Sequence, residues 1–116
     1  MPQIPAFRVD VEHDRAFVRV IPVGELDLAT VGQVAAEIDR LSGAGFALVV
    51  LDLRRTTFVD STGVHLVLDA QAASSRDGWD FGVIAGPPQV QRTFEIAGML
   101  PHVRLHMVTV PASADL

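Results

Sequence analysis

The side chains that could carry chemistry are few and stand apart along the chain. Histidine occurs at positions 13, 65, 102 and 106, and cysteine is absent. Without cysteine there is no thiolate ligand, disulfide or thiol nucleophile. His102 and His106 lie in an alternating apolar segment that predicts a strand, where a spacing of four separates them by about 13 Å at ~3.3 Å per residue. We therefore expect no metal site.

An acid, two hydroxyls and a histidine come together at residues 60–65, with the sequence DSTGVH. A hydrolase nucleophile elbow would need the pattern G-x-S-x-G, which this segment lacks. The phosphate-binding patterns G-x-x-x-x-G-K-[ST] and G-x-G-x-x-G are also missing. We therefore expect no catalytic residue and no cofactor. On spacing alone the segment reads as a helix start capped by Asp60 or Ser61, and a functional role for it stays open.

A helix that begins there has two distinct sides. At 100° per residue, the side that should face the core carries Val64, Val67, Leu68 and Gln71. The opposite, outward side carries Thr62, Leu66, Asp69 and Ala73. We expect Thr62 to face outwards beside an exposed Leu66. A hydroxyl next to an exposed leucine suits a docking surface, although single exposed leucines are common.

The elements that position these residues follow from hydrophobic periodicity. Period-two alternation over residues 7–12 and an apolar run over 16–23 predict a β-hairpin, and Pro22 should end or kink its second strand. A helix follows, capped by Asp27 or Thr30 and ended by glycines at 43 and 45. The apolar run over residues 46–53 predicts a strand covered on both faces.

Three more elements follow the helix that starts at residue 60 and stops at Gly78. These are a strand over 81–85, a helix with proline at its start and glycine at its end over 88–98, and a strand over 103–107. The order β-β-α-β-α-β-α-β predicts an α/β fold with a small, mostly parallel mixed sheet, an N-terminal antiparallel hairpin and crossover helices. We expect one domain over residues 1–116, with its core at about 7–108 and a flexible tail at 109–116.

Composition excludes several classes of protein. The chain has 116 residues, is 49% hydrophobic and carries a net charge of −5, which argues against disorder and against nucleic-acid binding. The longest apolar run, residues 46–51, is far shorter than the ~20 residues that a membrane span needs. The N-terminus does not resemble a signal peptide, so we expect a cytoplasmic protein.

Three segments resemble those of the STAS domain family, specifically its bacterial anti-sigma factor antagonists. VGELDLAT at residues 23–30 is similar to the G-E-L-D segment that leads into the first helix of that family. LDLRRTTFVDSTG at 51–63 is similar to its LDL…TFIDSSG segment, and VQRTFEIAGM at 90–99 is a weaker match to V-x-R-x-L-E-x-T-G-L. The resemblance covers roughly residues 7–108.

The resemblance implies a partner switch. In such proteins an anti-sigma factor kinase of ATPase fold phosphorylates the second hydroxyl residue of D-S-[ST]-G, which is Thr62 here, with Ser61 as the second choice. The unphosphorylated protein binds the kinase and frees a sigma factor, and a phosphatase removes the phosphate from Thr62. The expected partner-binding residues are Glu25, Asp27, Asp60, Ser61, Thr62, Gly63 and Leu66.

A second hypothesis belongs to a different functional class. The chain could be a STAS regulatory subunit of a transporter or of a stress-signalling scaffold, without a phosphorylation switch. Under either hypothesis we expect no enzyme activity, no nucleic-acid partner and no direct insertion into a membrane. We also expect the free protein to be a monomer.

Overall fold

The computed structural model describes residues 6–15 and 17–99. Within them the elements are β1 (Arg8–His13), β2 (Val18–Leu26), α1 (Val31–Gly43), β3 (Leu48–Asp52), β4 (Thr56–Val59), α2 (Ser61–Asp77), β5 (Asp80–Ile84) and α3 (Pro88–Gly98). β1 and β2 are antiparallel, whereas β2 pairs in parallel with β3, and β3 with β5. The predicted mixed sheet with an antiparallel N-terminal hairpin is confirmed. The strand predicted at 103–107 and the tail at 109–116 lie outside the described residues.

Strand β2 changes its partner halfway along its length. Its first residues pair with β3, whereas Gly24 to Leu26 pair with β4, and the register with β4 shifts between Gly24 and Glu25. Pro22 does not end the strand, because β1 still pairs with it on one side and its carbonyl accepts a hydrogen bond from the buried Thr56 hydroxyl at 3.0 Å. The short strand β4 was not predicted. It exists because β2 extends beyond the end of β3.

One face of the sheet and the three described helices share the main hydrophobic core. The strands contribute alternate residues, and the helices contribute Val34, Ile38 and Leu41 from α1, Val64, Leu66, Val67 and Ala70 from α2, and Val90 and Phe94 from α3. The buried residues of α1 and α3 recur every three or four positions, as on one face of a helix. Helix α2 stops as predicted at Gly78, whose φ of 78° favours glycine.

The opposite face of the sheet holds a cluster of charges around Asp52, which is only 2% exposed. Arg19 and Arg54 bind its carboxylate at 2.8 and 2.7 Å, and Arg19 also pairs with Asp14 and Glu12. Burial alone would raise the pKa of Asp52, but the hydrogen bonds from Arg54 and Arg19 outweigh it and hold that pKa below its ordinary value. The cluster therefore ties β1, β2 and β3 together.

Candidate functional site

The connection from β4 into α2 brings the predicted acid and hydroxyls together. Asp60 occupies the N-cap of α2 in an extended conformation, and its Oδ1 accepts a hydrogen bond from the backbone N–H of Thr62 at 2.9 Å. The Thr62 hydroxyl donates to the same oxygen. Ser61 is exposed and Thr62 is half-buried. Capping by Asp60 is therefore confirmed, and the cap also fixes the direction of the Thr62 hydroxyl.

Three elements meet at this helix start. The backbone N–H of Asp60 donates to the carbonyl of Leu26 at the end of β2, at 3.3 Å. The hydroxyl of Thr93 on α3 donates to the carbonyl of Val59 at 3.2 Å. The site thus lies at the carboxyl ends of parallel strands β2 and β4, the edge at which open α/β sheets present their functional groups.

Gly63 is buried where α2 crosses the ends of β2 and β4. A Cβ at this position would lie 2.6 Å from Val59 Cγ1 and 3.3 Å from Leu26 Cδ2. The glycine therefore lets the helix approach the sheet closely. It faces the interior, so it is not on the surface that a partner would reach, in contrast to the sequence-based expectation.

Leu66 was expected to be exposed, and this expectation is wrong because Leu66 is only 6% exposed. Its side of α2 faces α1 across a cavity of about 170 Å³, lined among others by Ala35, Ile38, Asp69 and Ala73. Leu66 would be exposed if α2 packed on the sheet alone. Because α2 packs against both the sheet and α1, its buried arc is wider and takes in Leu66.

The other two predicted acids lie at the end of β2 and just beyond it, because Glu25 is on the strand and Asp27 begins a tight turn over residues 27–30. The Thr30 hydroxyl donates to the Glu25 carbonyl at 2.7 Å and accepts from the Asp27 N–H at 3.0 Å, while Asp27 Oδ1 accepts from the Ala29 N–H at 3.0 Å. Thr30 holds the N-cap position of α1 without a side-chain bond to the helix, so its hydroxyl serves the turn. No hydrogen bond joins Asp27 to Thr62 in the described part of the chain, but Asp27 directly follows Leu26, which binds Asp60.

Glu25 and Asp27 also border a groove of about 560 Å³ beside β1. Arg8 and Arg55 line the same groove, and each pairs with Asp10, at 3.1 and 3.6 Å. The cations of this groove therefore already have a carboxylate partner. Glu25 and Asp27 both line this groove, and Asp27 follows Leu26, whose carbonyl binds Asp60 at the start of α2.

Four apolar side chains that were not predicted as functional are exposed near the same edge. They are Leu28, Phe58, Ile96 and Met99, which are 80%, 47%, 58% and 82% exposed. The sequence contains a signal for Leu28, which is an apolar residue in the middle of a turn. Phe58 has no such signal, because burial along β4 does not alternate: Thr57 and Phe58 are both exposed between the buried Thr56 and Val59.

Within residues 6–15 and 17–99 no cluster of three or more His, Asp or Glu side chains is arranged to bind a metal ion. No helix in the same ranges is both long and apolar enough to cross a membrane. The candidate site therefore consists of a hydroxyl, its capping carboxylate, the neighbouring acids and the exposed apolar side chains. This arrangement offers a place to modify a hydroxyl and a surface to bind a partner.

Comparisons with known proteins agree with this description. A family model described as the STAS domain matches residues 8–112. A relative from Paenibacillus polymyxa named anti-sigma F factor antagonist is 26% identical over 110 residues, which are 94% of each chain. The solved structure of the anti-sigma factor antagonist SpoIIAA in its unphosphorylated form is 25% identical, with a TM-score of 0.69 over 94% of this chain and 90% of that one. The phosphorylated form of SpoIIAA from Bacillus, 24% identical, has the same fold, with a TM-score of 0.64 over 94% and 93% of the two chains.

Proposed function

The chain belongs to the STAS domain family, and we propose that within this family it acts as an anti-sigma factor antagonist. In its unphosphorylated form it binds an anti-sigma factor kinase and thereby frees a sigma factor. Phosphorylation of Thr62 ends the binding, and a phosphatase restores it. The observation that carries the proposal is the Thr62 hydroxyl, which Asp60 holds at the start of α2, at the position of the second hydroxyl residue in the family motif.

The choice of Thr62 over Ser61 rests on hydrogen bonding. The Thr62 hydroxyl is oriented by Asp60, and its backbone N–H is held by the same carboxylate. Ser61 is exposed, and its side chain makes no hydrogen bond within the described residues. An acceptor that is already oriented loses less freedom when it enters a kinase site. Ser61 remains the second candidate.

A phosphate on Thr62 would alter charge more than structure. It adds about −1.5 to −2 charges directly beside the Asp60 carboxylate, with Glu25 and Asp27 at the same edge of the sheet. No cation pairs with Asp60 among the residues that the structure describes. The free N–H groups and dipole of a helix N-terminus accommodate an anion. We therefore expect phosphorylation to leave the fold intact and to disrupt the contact with the partner.

The partner surface that we propose contains Glu25, Asp27, Asp60, Ser61 and Thr62, and it omits the buried Gly63 and Leu66. Its role is regulatory binding and not catalysis, as in the relatives named anti-sigma factor antagonists. One domain over residues 1–116 stays a prediction, and the family match over residues 8–112 is in keeping with it.

The proposal is tested by recovering partners from a lysate of the source organism. The baits are the wild type, Thr62→Ala and Thr62→Glu, with Ser61→Glu to compare the same added charge at the second candidate residue. We expect an anti-sigma factor kinase on the wild type and on Thr62→Ala but not on Thr62→Glu, and phosphorylation by that kinase only where Thr62 is present.

Three results would contradict the proposal. Equal recovery of the kinase on Thr62→Glu would remove Thr62 from the switch. Recovery of transporter or scaffold subunits on every bait, with no kinase, would favour the alternative of a STAS regulatory subunit. Weaker binding by Ser61→Glu than by Thr62→Glu would move the modified residue to Ser61.

A further inference from the structure

The four large hydrophobic side chains that are exposed within the described residues lie on segments that meet at the start of α2. They are Leu28, Phe58, Ile96 and Met99. We propose that these four side chains form the apolar contact surface by which the unphosphorylated chain binds its anti-sigma factor kinase. The inference rests on the proposed function and replaces the apolar contact that the sequence had suggested at Leu66.

The backbone places these side chains around Asp60. The bond between the Asp60 N–H and the Leu26 carbonyl, at 3.3 Å, sets the turn that carries Leu28 beside the helix start. Phe58 lies two residues before Asp60 on β4. On the other side, Thr93 binds the Val59 carbonyl at 3.2 Å.

Helix α3 continues the surface away from this junction. Ile96 lies one turn beyond Thr93, and Met99 lies one further turn beyond Ile96. Steps of three residues advance about 4.5 Å each along a helix axis. Ile96 and Met99 therefore lie within about 9 Å along the axis of Thr93, the residue that joins α3 to Val59 beside the edge that carries Thr62.

Charge identifies the kind of partner that fits. The charged side chains on the same segments are mostly acidic, namely Glu25, Asp27 and Asp60 near the junction and Glu95 on α3, which also carries the exposed Arg92. A matching partner would present an apolar centre with a rim of arginine and lysine. A second copy of this chain is a poor match, because a two-fold interface would bring one acidic patch against the same acidic patch of the other copy, in a chain of net charge −5.

This placement gives the switch a physical basis. A phosphate on Thr62 would lie within an apolar contact, where a charge without a partner is costly to desolvate. Binding would therefore be lost although α2 and its cap persist. A partner contact at Leu66 could not be switched in this way, because Leu66 on α2 faces α1 and is buried.

The test measures the dissociation constant of the unphosphorylated chain for the kinase. The variants are Leu28→Ala and Ile96→Asp, at positions that are 80% and 58% exposed, so neither should alter the fold. The control is Ala72→Asp, an exposed residue of α2 that lies about 15 Å along the helix from Thr62. Circular dichroism and thermal unfolding check that each variant folds.

We expect binding to weaken about tenfold or more for Ile96→Asp, and several-fold for Leu28→Ala, with Ala72→Asp within about twofold of the wild type. If both Leu28→Ala and Ile96→Asp bind the kinase with wild-type affinity, the inference is overturned and the proposed function still stands. Failure of the wild type itself to bind an anti-sigma factor kinase would overturn both. A wild-type dimer in sedimentation that Ile96→Asp converts to a monomer would assign the surface to a second copy and would also overturn the inference.

Discussion

Two aspartates at the ends of strands that both pair with β2 have opposite surroundings. Asp52 ends β3 and is 2% exposed, and its carboxylate is bound by the guanidinium groups of Arg19 and Arg54. Asp60 follows β4, and its carboxylate is bound by the N–H and hydroxyl of Thr62. In the described part of the chain, cations neutralise the first carboxylate, whereas only neutral donors bind the second.

This difference separates a structural acid from the acid of the proposed site. A carboxylate between two arginines is stabilising only while all its partners are present, so its environment resists change. A carboxylate that holds a neighbouring hydroxyl keeps its full negative charge, and it will repel a phosphate placed on that hydroxyl. The surroundings of the two aspartates therefore indicate their roles more clearly than the residue type does.

The largest expected effect is on the buried acid. Asp52→Asn should lower the free energy of unfolding by about 3 kcal/mol at neutral pH, because it leaves Arg54 and one arm of Arg19 without their charged partner. Asp60→Asn should lower it by less than about 0.5 kcal/mol, because asparagine caps a helix as well as aspartate. Urea unfolding of both variants measures the two values. Equal losses of unfolding free energy in the two variants would contradict the distinction between the two aspartates.

The pH dependence of the same variant sharpens the comparison. Because the pKa of Asp52 lies below its ordinary value in the folded chain, its stabilisation is complete above the unfolded pKa of about 3.9 and is lost as the pH falls through the folded pKa. The difference in free energy of unfolding between the wild type and Asp52→Asn should stay constant from pH 7 to about pH 5 and should narrow below about pH 4. A gap that already closes near pH 6 would mean that another group is responsible.

A smaller effect on stability is expected at Gly63, the buried glycine in the first turn of α2. Gly63→Ala should cost about 1–2 kcal/mol, because the new methyl would overlap Val59 Cγ1. The matched control is Gly32→Ala on α1, where no atom lies within 4 Å of the added Cβ and helix propensity favours alanine by up to about 1 kcal/mol. The midpoint temperature of thermal unfolding should therefore fall for Gly63→Ala and rise for Gly32→Ala. A stabilised Gly63→Ala variant would show that α2 has room to move away from the sheet.

A smaller loss than at Gly63 is expected when the capping carboxylate is removed altogether. Asp60→Ala should lower stability by about 1 kcal/mol, because the Thr62 N–H loses its acceptor. The same substitution should make the Thr62 hydroxyl mobile, which slows its phosphorylation, whereas Asp60→Asn should preserve the cap. Chemical denaturation and a time course of phosphate incorporation measure the two effects. Unchanged phosphorylation of Asp60→Ala would show that orientation by Asp60 is unimportant.

Local signals in the sequence were sufficient for most of the fold. The period of apolar residues located the three described helices, and Asp60 and Gly78 marked the ends of α2 as predicted. Short-range patterns succeed here because capping and left-handed turns depend on adjacent residues alone. The strand β4 was missed because its four residues acquire strand character only from pairing with the extended end of β2.

The residue types at the candidate site were evident in the sequence, but their surroundings were not. A single chain segment determined that an acid precedes two hydroxyls at a helix start, because the cap is a local structure. Only the tertiary structure decided that α1 covers Leu66, that Gly63 faces β2 and β4, and which apolar side chains stay exposed. Burial is a property of how distant elements pack together, and no window of sequence contains both sides of such a contact.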